Sequence, residues 1–154
     1  MELKPVIVNG LVGGAAAWVM ATFVSWLHKR YTKDIPEEKK ELTYEVEQYR
    51  EFHVHADFEK TLSTCLSALK LIKKSKLKNV DRINRVVTAS VGISFRSFGE
   101  KLNFCIKEVS PELMKLSIES KPWFWGTSAD YGKNYENIEV VSSHIRAELP
   151  TEDL

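Results

Sequence analysis

The longest unbroken hydrophobic pattern in the chain covers residues 5–27, and it predicts a helix that crosses a membrane. This segment contains no acidic or basic side chain and no histidine, and a basic run at residues 28–30 follows it. A helix rises ~1.5 Å per residue, so the segment would span roughly 34 Å, enough for a hydrocarbon layer of ~30 Å. We therefore expect residues 1–31 to form a single-pass membrane anchor.

Two other structures compete with an anchor over this segment. A cleaved signal peptide begins with positive charge and carries an apolar stretch of about 7–15 residues before a small-x-small site. This chain begins Met-Glu-Leu-Lys and its apolar stretch is longer. A helix that is apolar all round can also be buried, but only a larger protein could surround one of this length. The sequence favours the anchor.

Charges and small residues around the segment predict its orientation and its contacts. Basic residues are more frequent after it than before it, so the positive-inside rule places the C-terminal part in the cytoplasm. Small residues recur along one side and would let a second helix approach closely; they are Gly10, Gly13, Gly14, Ala17 and Ala21. Membrane lipid and a second copy of the chain are thus expected partners, unless these residues reflect only the usual composition of membrane helices.

Residues 32–48 form a polar connector in which a helical and an extended pattern compete. Asp34 is followed by a proline in the first turn and by Glu37 three residues on, which is a helix-start signature. Tyr44 and Val46 alternate with glutamates, as an early strand would require. The connector is expected to be a short juxtamembrane helix or, alternatively, a strand.

A period of two followed by a period of 3.6 predicts a strand and then a helix at the start of a domain covering residues 49–149. Around Phe52 and Val54, apolar side chains alternate with polar ones, as in a half-buried strand. Asp57 is a good N-cap for a helix that ends near Lys73. The apolar stripe of this helix consists of Phe58, Leu62, Cys65, Leu66, Leu69 and Ile72.

Three further strands and a second helix complete the predicted domain. Apolar and polar residues alternate over residues 87–95, 102–106 and 114–118, with turn sequences between them. A stripe at spacings of three and four then predicts a helix through Tyr135, Ile138, Val141, Ile145 and Leu149. The expected fold is α+β with the order β-α-β-β-β-α, two helices lying on one face of an antiparallel four-stranded sheet. Residues 150–154 are expected to form a frayed tail.

This order of elements, together with the pattern around Trp125 and Gly126, resembles small bacterial α+β domains of unknown function that often carry an N-terminal membrane segment. The resemblance covers the chain from Phe52 onward. It implies a membrane-anchored domain and carries no catalytic residues with it.

Composition and motifs give no support to catalysis or to nucleic-acid binding. The chain has 22 basic and 21 acidic residues, so no overall field attracts nucleic acid. Nucleophile-elbow, zinc-protease, Walker and dinucleotide motifs are absent from the sequence. His53 and His55 share one strand face and could bind a metal with His144 or a carboxylate, but no third ligand stands at a fixed spacing. We expect no catalytic residue, no cofactor and no metal.

Two surface features predict where a partner binds. A lysine cluster is expected at the end of the first domain helix, as a solvated helix end, a patch for anionic lipid or, least favoured because aromatics are not interleaved, a nucleic-acid patch; it consists of Lys70, Lys73, Lys74, Lys76 and Lys78. The second feature is Trp123, Phe124 and Trp125. Neighbouring residues of an extended segment alternate faces, so either one of the three points outward as a binding surface, or Trp123 and Trp125 close the core and only Phe124 is partly exposed.

Two functions fit these patterns. The favoured one is a membrane-anchored cytoplasmic interaction or scaffold domain that binds a protein partner or lipid at the membrane surface. The alternative is a membrane-tethered small-ligand-binding or hydrolytic domain with a cleft near residues 123–125. A cavity beside Trp123 with convergent polar groups would favour the alternative, and a flat aromatic and basic surface would favour the first.

Overall fold

Six antiparallel strands and three α-helices make up the part of the chain that the structure describes. The structure is a computed structural model that describes residues 4–124, 127 and 130–154, with the backbone alone for residues 4–13. In chain order the elements are α1 (Lys4–Tyr31), β1 (Gln48–Val54), α2 (Phe58–Leu71), β2 (Ser75–Asp81), β3 (Val86–Val91), β4 (Glu100–Ser110), β5 (Leu113–Pro122), α3 (Lys133–Glu148) and β6 (Thr151–Asp153).

The sheet has the strand order β2-β3-β4-β5-β1-β6, so the prediction of four strands is wrong. Strands β2 to β5 form a meander, and β1 joins it from the far side by pairing with β5, with Gln48 opposite Ser120. The two unpredicted strands are the sheet edges. No residue of β2 or β6 is fully buried, so neither strand carries the apolar alternation by which a strand is recognised in sequence. Because β6 pairs with β1, the predicted frayed tail is an ordered strand.

One face of the sheet packs against α2 and α3, and the core lies between them. Alternate residues of the inner strands are buried on that face, and the apolar stripes of the two helices meet them. The fully buried members include Phe52, Leu102, Phe104, Leu116, Ile118, Cys65, Ile138 and Ile145. The other face of the sheet carries half-buried polar side chains such as Asn103 and Ser117. This arrangement leaves the ends of the strands as the places where a ligand could enter.

Helix α1 forms where the sequence predicts a helix, but the prediction that it crosses a membrane is wrong. Within the described part of the chain, none of the helices combines the length and the apolar character that a bilayer crossing needs. The predicted single-pass topology and the predicted membrane location with a cytoplasmic domain rest on that crossing and are wrong with it.

The C-terminal end of α1 packs on the domain through His28. The ring of His28 stacks on Tyr44 with 4.1 Å between ring centroids, and its Nε2 lies 3.0 Å from the hydroxyl oxygen of Thr43. Thr43 and Tyr44 belong to the second of two short 3-10 helices, Glu37–Lys39 and Glu41–Tyr44, which replace the predicted α-helix or strand of the connector. Upstream of this contact, α1 is exposed from residue 14 to residue 23.

Candidate functional site

A pocket of about 270 Å³ opens at the end of the sheet where β3 and β4 are joined. Its wall comes from the end of β3 and the residues after it, from the turn before β4, from the edge strand and from the segment after β5. The lining residues are Lys78, Ser90, Val91, Gly92, Ile93, Phe98, Gly99, Glu100 and Trp123. The pocket lies beside Trp123, where the ligand-binding alternative places a cleft, but it is lined by strands and turns rather than lying between the sheet and the helices.

Gly99 gives the pocket its shape because its backbone has a positive φ of 101°. A Cβ at this position would lie 2.8 Å from the carbonyl oxygen of Val91, closer than side-chain carbons approach backbone oxygens. The carbonyl oxygen of Gly99 accepts a hydrogen bond of 2.8 Å from the backbone N–H of Trp123. Only glycine tolerates this conformation without strain. Gly99 therefore lets the turn before β4 lie close to the end of β3 and to the segment after β5.

Large apolar side chains surround the mouth of the pocket and are open to solvent. Ile93, Phe98 and Trp123 are 65%, 70% and 69% exposed, and Phe95 nearby in the chain is fully exposed. The interpretation in which Trp123 closes the core is therefore wrong. Phe124 is half exposed, and Trp125 lies outside the described residues. A cluster of this kind on a protein surface marks a binding site more often than a packing defect.

A chain of buried polar side chains runs from the pocket wall into the space beneath α3. The carboxyl of Glu100 accepts hydrogen bonds from the Ser97 hydroxyl and, at 3.5 Å, from the Asn137 amide. The same amide lies 3.4 Å from the Ser120 hydroxyl, which donates to Asn134 at 2.6 Å. Asn134 in turn donates to Asp130 at 2.7 Å. All six groups are buried, so the network joins two carboxyl groups through neutral side chains.

Burial raises the pKa of Glu100 to about 7, because a charged carboxylate loses its hydration there. The charge of Lys133 and the hydrogen bond from Asn137 lower this pKa in part, while Asp130 raises it. The carboxyl of Glu100 therefore changes charge near neutral pH. Two nearby buried atoms, Oδ1 of Asn137 and Nε of Arg96, have no hydrogen-bond partner within the described residues. The site thus holds a titratable group and spare hydrogen-bonding capacity.

The lysine cluster does not form one helix end, because α2 stops at Leu71 and the chain turns into an edge strand. Lys70 lies in the last turn of α2, Lys73 and Lys74 lie in the turn, and Lys76 and Lys78 are exposed on β2. Lys74 donates a hydrogen bond of 2.8 Å to the carbonyl oxygen of Ile93, and Lys78 lines the pocket. Lysines on an edge strand also discourage pairing with another chain. A partner at these lysines stays a prediction.

The three histidines of the hypothetical metal site are not brought together as ligands. His55 lies 3.8 Å from Glu152 of β6, and His144 is hydrogen bonded to Ser67 of α2 at 2.8 Å. His53 stands opposite Glu152 in the β1 and β6 register. Across the residues with described side chains, no group of three or more His, Cys, Asp or Glu is arranged to hold a metal ion.

The stripe of small residues lies on α1 as its spacing predicts. Gly10 and Gly13 belong to the part of α1 for which the backbone alone is described, and Gly14, Ala17 and Ala21 are exposed. A Cβ placed on Gly14 would meet no atom within 4 Å. Close approach of a second helix along this stripe stays a prediction.

The sequence does contain a signal for the buried network, because two of its members stand in the buried phase of their strands. Glu100 is in phase with Leu102 and Phe104 on β4, and Ser120 is in phase with Ile118 on β5. A polar residue in the buried phase of a strand must find a hydrogen-bond partner in the interior. The alternation recognised in the sequence begins at residue 102, two residues after β4 begins at Glu100, so Glu100 is left outside the predicted strand.

No family model matches the chain, and no curated protein matches it. The resemblance to small bacterial α+β domains therefore stays a prediction, without its membrane segment.

Several solved structures align with the domain at low identity. A protein from Nitrosospira multiformis is 16% identical over 66% of this chain and 94% of its own, with a TM-score of 0.48. The di-domain ARO/CYC BexL of the BE-7585A biosynthetic pathway is 12% identical over 66% of this chain, which spans only 43% of that protein, with a TM-score of 0.45. Norcoclaurine synthase from Thalictrum flavum, in complex with dopamine and hydroxybenzaldehyde, is 9% identical over 66% of this chain and 84% of its own, with a TM-score of 0.42. Similarity this distant carries no functional argument, so the function must be inferred from the residues of this chain.

Proposed function

We propose that this chain binds a small apolar ligand containing a ring and one polar group, in the pocket beside Trp123. The observation that carries the proposal is the juxtaposition of exposed aromatic side chains with a buried, titratable carboxyl in one pocket wall. Phe98 and Trp123 stand at the mouth, and Glu100 belongs to the wall. Ligand sites in proteins combine mostly apolar walls with a few placed polar groups in the same way.

The size of the pocket limits the ligand. Its volume of about 270 Å³ is near the lower end of the range of about 300–1,000 Å³ found for small-molecule sites. A cavity of about 150 Å³ already holds benzene, so the pocket suits a ligand of one or two rings. Covering Ile93, Phe98 and Trp123 would stabilise the complex by about 25 cal/mol for each Å² of apolar surface removed from water.

The polar groups of the pocket would select among such ligands. Glu100 brings an acidic group and Lys78 a basic one to the lining, and the Ser97 and Asn137 side chains hold the carboxyl of Glu100 in place. A ligand with a hydroxyl or an amine could hydrogen bond to Glu100 or Lys78, whereas a pure hydrocarbon could form no such bond. Binding is the part of the predicted alternative that the pocket supports, and hydrolysis has no observation in its favour.

The replacement Trp123→Ala tests this proposal. We expect it to weaken binding of a ring-containing probe by roughly 30-fold, since truncating an aromatic anchor costs about 2 kcal/mol. The probes are phenol, indole and 2-naphthol, titrated into the isotope-labelled full chain and followed by amide chemical shifts. Shifts are expected at Gly92, Gly99 and their neighbours.

Trp18→Ala is the matched control, because Trp18 on α1 is 69% exposed, the same fraction as Trp123. It should leave the dissociation constant unchanged. The proposal fails if no probe shifts the pocket amides at millimolar concentration, or if the two tryptophan variants weaken binding equally.

A further inference from the structure

Helix α1 carries an apolar groove on the side that faces away from the domain. The groove is open to solvent and is lined by Ala15, Ala16, Val19, Met20 and Phe23, all of them exposed. At 100° per residue these side chains centre roughly 150° around the helix axis from His28, through which α1 packs on the domain. The domain itself therefore leaves this groove open.

The groove is complementary to a copy of itself in one orientation. At its N-terminal end the short side chains of Ala15 and Ala16 leave space above the helix, whereas at its C-terminal end the half-exposed ring of Phe23 fills that space. Val19 stands midway between Ala15 and Phe23 in the chain. If two helices run antiparallel with the two-fold axis at Val19, each Phe23 lies over the alanines of the other copy, as an isologous interface requires. A parallel pair would instead set phenylalanine against phenylalanine and leave a gap between the alanines.

Charge favours the same orientation. Basic residues at positions 28–30 follow the groove, and a parallel pair would place the two basic runs side by side. In the antiparallel pair each run lies about 14 Å from the two-fold axis, on opposite sides, at ~1.5 Å per residue. That separation of roughly 28 Å exceeds the Debye length of ~8 Å in physiological salt, so their repulsion is screened.

The area available fits a weak, specific dimer. Val19, Met20, Phe23 and Trp26 are between 52% and 63% exposed. An aromatic side chain buries about 150–250 Å² when fully covered, so this face can bury roughly 450 Å² per copy, or about 900 Å² for the pair. Specific stable interfaces begin near ~1,000 Å² in total. The area thus fits a weak, reversible association rather than a permanent dimer.

We infer that α1 pairs with α1 of a second copy of this chain, in an antiparallel arrangement centred on Val19. The contact differs from association along the stripe of small residues. Gly14, Ala17 and Ala21 lie in line with His28 and Thr32, on the opposite side of the helix from the groove. The two faces can therefore be tested separately.

The variants Ala16→Glu and Ala17→Glu form a matched pair, because Ala16 lines the groove and the neighbouring Ala17 lies on the stripe of small residues. Both sites are exposed, so both variants should fold as the wild type does, which circular dichroism would check. Sedimentation velocity of the full chain from micromolar to millimolar concentration should show a monomer and dimer equilibrium for the wild type. Ala16→Glu should weaken the dimer at least tenfold, because a charge would be buried against the partner helix, and Ala17→Glu should not.

Cross-linking tests the orientation. In a Cys105→Ser background, with Cys65 buried, Val19→Cys should form a disulfide between two copies and Trp26→Cys should not, since two antiparallel helices hold those positions far apart. Cross-linking at both positions would overturn the antiparallel arrangement. A wild type that stays monomeric, equal effects of both glutamates on the dimer, or a monomer that instead floats with phosphatidylcholine vesicles would overturn the proposal.

Discussion

Glu100→Gln is expected to raise the free energy of unfolding by about 3 kcal/mol at pH 8 and to change it little below pH 4.5. Burial raises the pKa of Glu100 from 4.5 to about 7 in the folded state. Below the unfolded pKa of about 4.5 the carboxyl is neutral in both states, and the protein keeps its full free energy of unfolding. As the pH rises from there to about 7, the unfolded state loses the proton first, so the free energy of unfolding falls by about 1.4 kcal/mol for each pH unit. Glutamine has no charge to bury, so the variant escapes this loss.

The side-chain amide of glutamine at position 100 would also have a hydrogen-bond acceptor nearby. Oδ1 of Asn137 is buried and accepts no hydrogen bond from the described residues, and a glutamine amide at position 100 can donate to it. Unfolding by urea at a series of pH values would measure the effect. Wild-type and variant stabilities that run parallel across the pH range would show that Glu100 does not titrate between the two states.

Glu119→Gln is the control for this experiment. Glu119 lies on the neighbouring strand, and Lys121 and Asn103 donate hydrogen bonds to it at 2.8 and 2.7 Å. Burial alone would raise the pKa of Glu119, but the two hydrogen bonds lower this pKa by more than burial raises it, so the net shift is downward. Stability from this group is present above the unfolded pKa and lost as the pH falls. Its replacement should therefore cost a little stability at pH 8, the opposite sign to Glu100→Gln.

Phe104→Ala is expected to lower the free energy of unfolding by about 3–5 kcal/mol, because it leaves a cavity that the core cannot close. Phe104 is completely buried at the centre of the sheet, opposite Val87 on one side and Ile118 on the other. A loss of this size is a large part of the total stability of a small domain, about 5–15 kcal/mol. Guanidinium unfolding with a constant m-value would measure it.

Phe95→Ala compares the same chemical change on the surface. Phe95 is fully exposed, so its replacement should alter stability by no more than about 0.5 kcal/mol. Similar losses in the two variants would contradict the burial assigned to either phenylalanine.

These two phenylalanines show where apolar alternation predicts structure and where it fails. Phe104 continues the phase of β4 into the core, as its spacing indicates. Residues 87–95 also alternate, but β3 ends at Val91 and the chain turns away at Gly92, so Ile93 and Phe95 point into solvent. Periodicity reports which side chains could share a face, and it does not report where neighbouring strands stop.

The helices of the domain were predictable because each has a complete apolar stripe, whereas strand β2 was not. Its lysines continue the basic end of α2 without a break, and an edge strand exposed on both faces needs no buried residue. In the sequence, Trp123 was the one signal that pointed to the pocket.

The polar part of the pocket depends on Glu100, whose hydrogen-bond partners Ser97 and Asn137 lie 3 and 37 residues away in the sequence. A contact across 37 residues is set by tertiary packing, which no local spacing encodes.

The position of β1 in the sheet has a consequence for how the chain folds. Its first pairing partner along the sequence is β5, with Gln48 opposite Ser120, so the strand stays unpaired until more than half of the domain has been synthesised. Contacts between distant residues slow folding, because the intervening chain must be ordered first. The meander of β2 to β5 is local and can form early, so the addition of β1 to the sheet is expected to be a late step, and until then β1 and the edge of β5 are open to pairing with other chains.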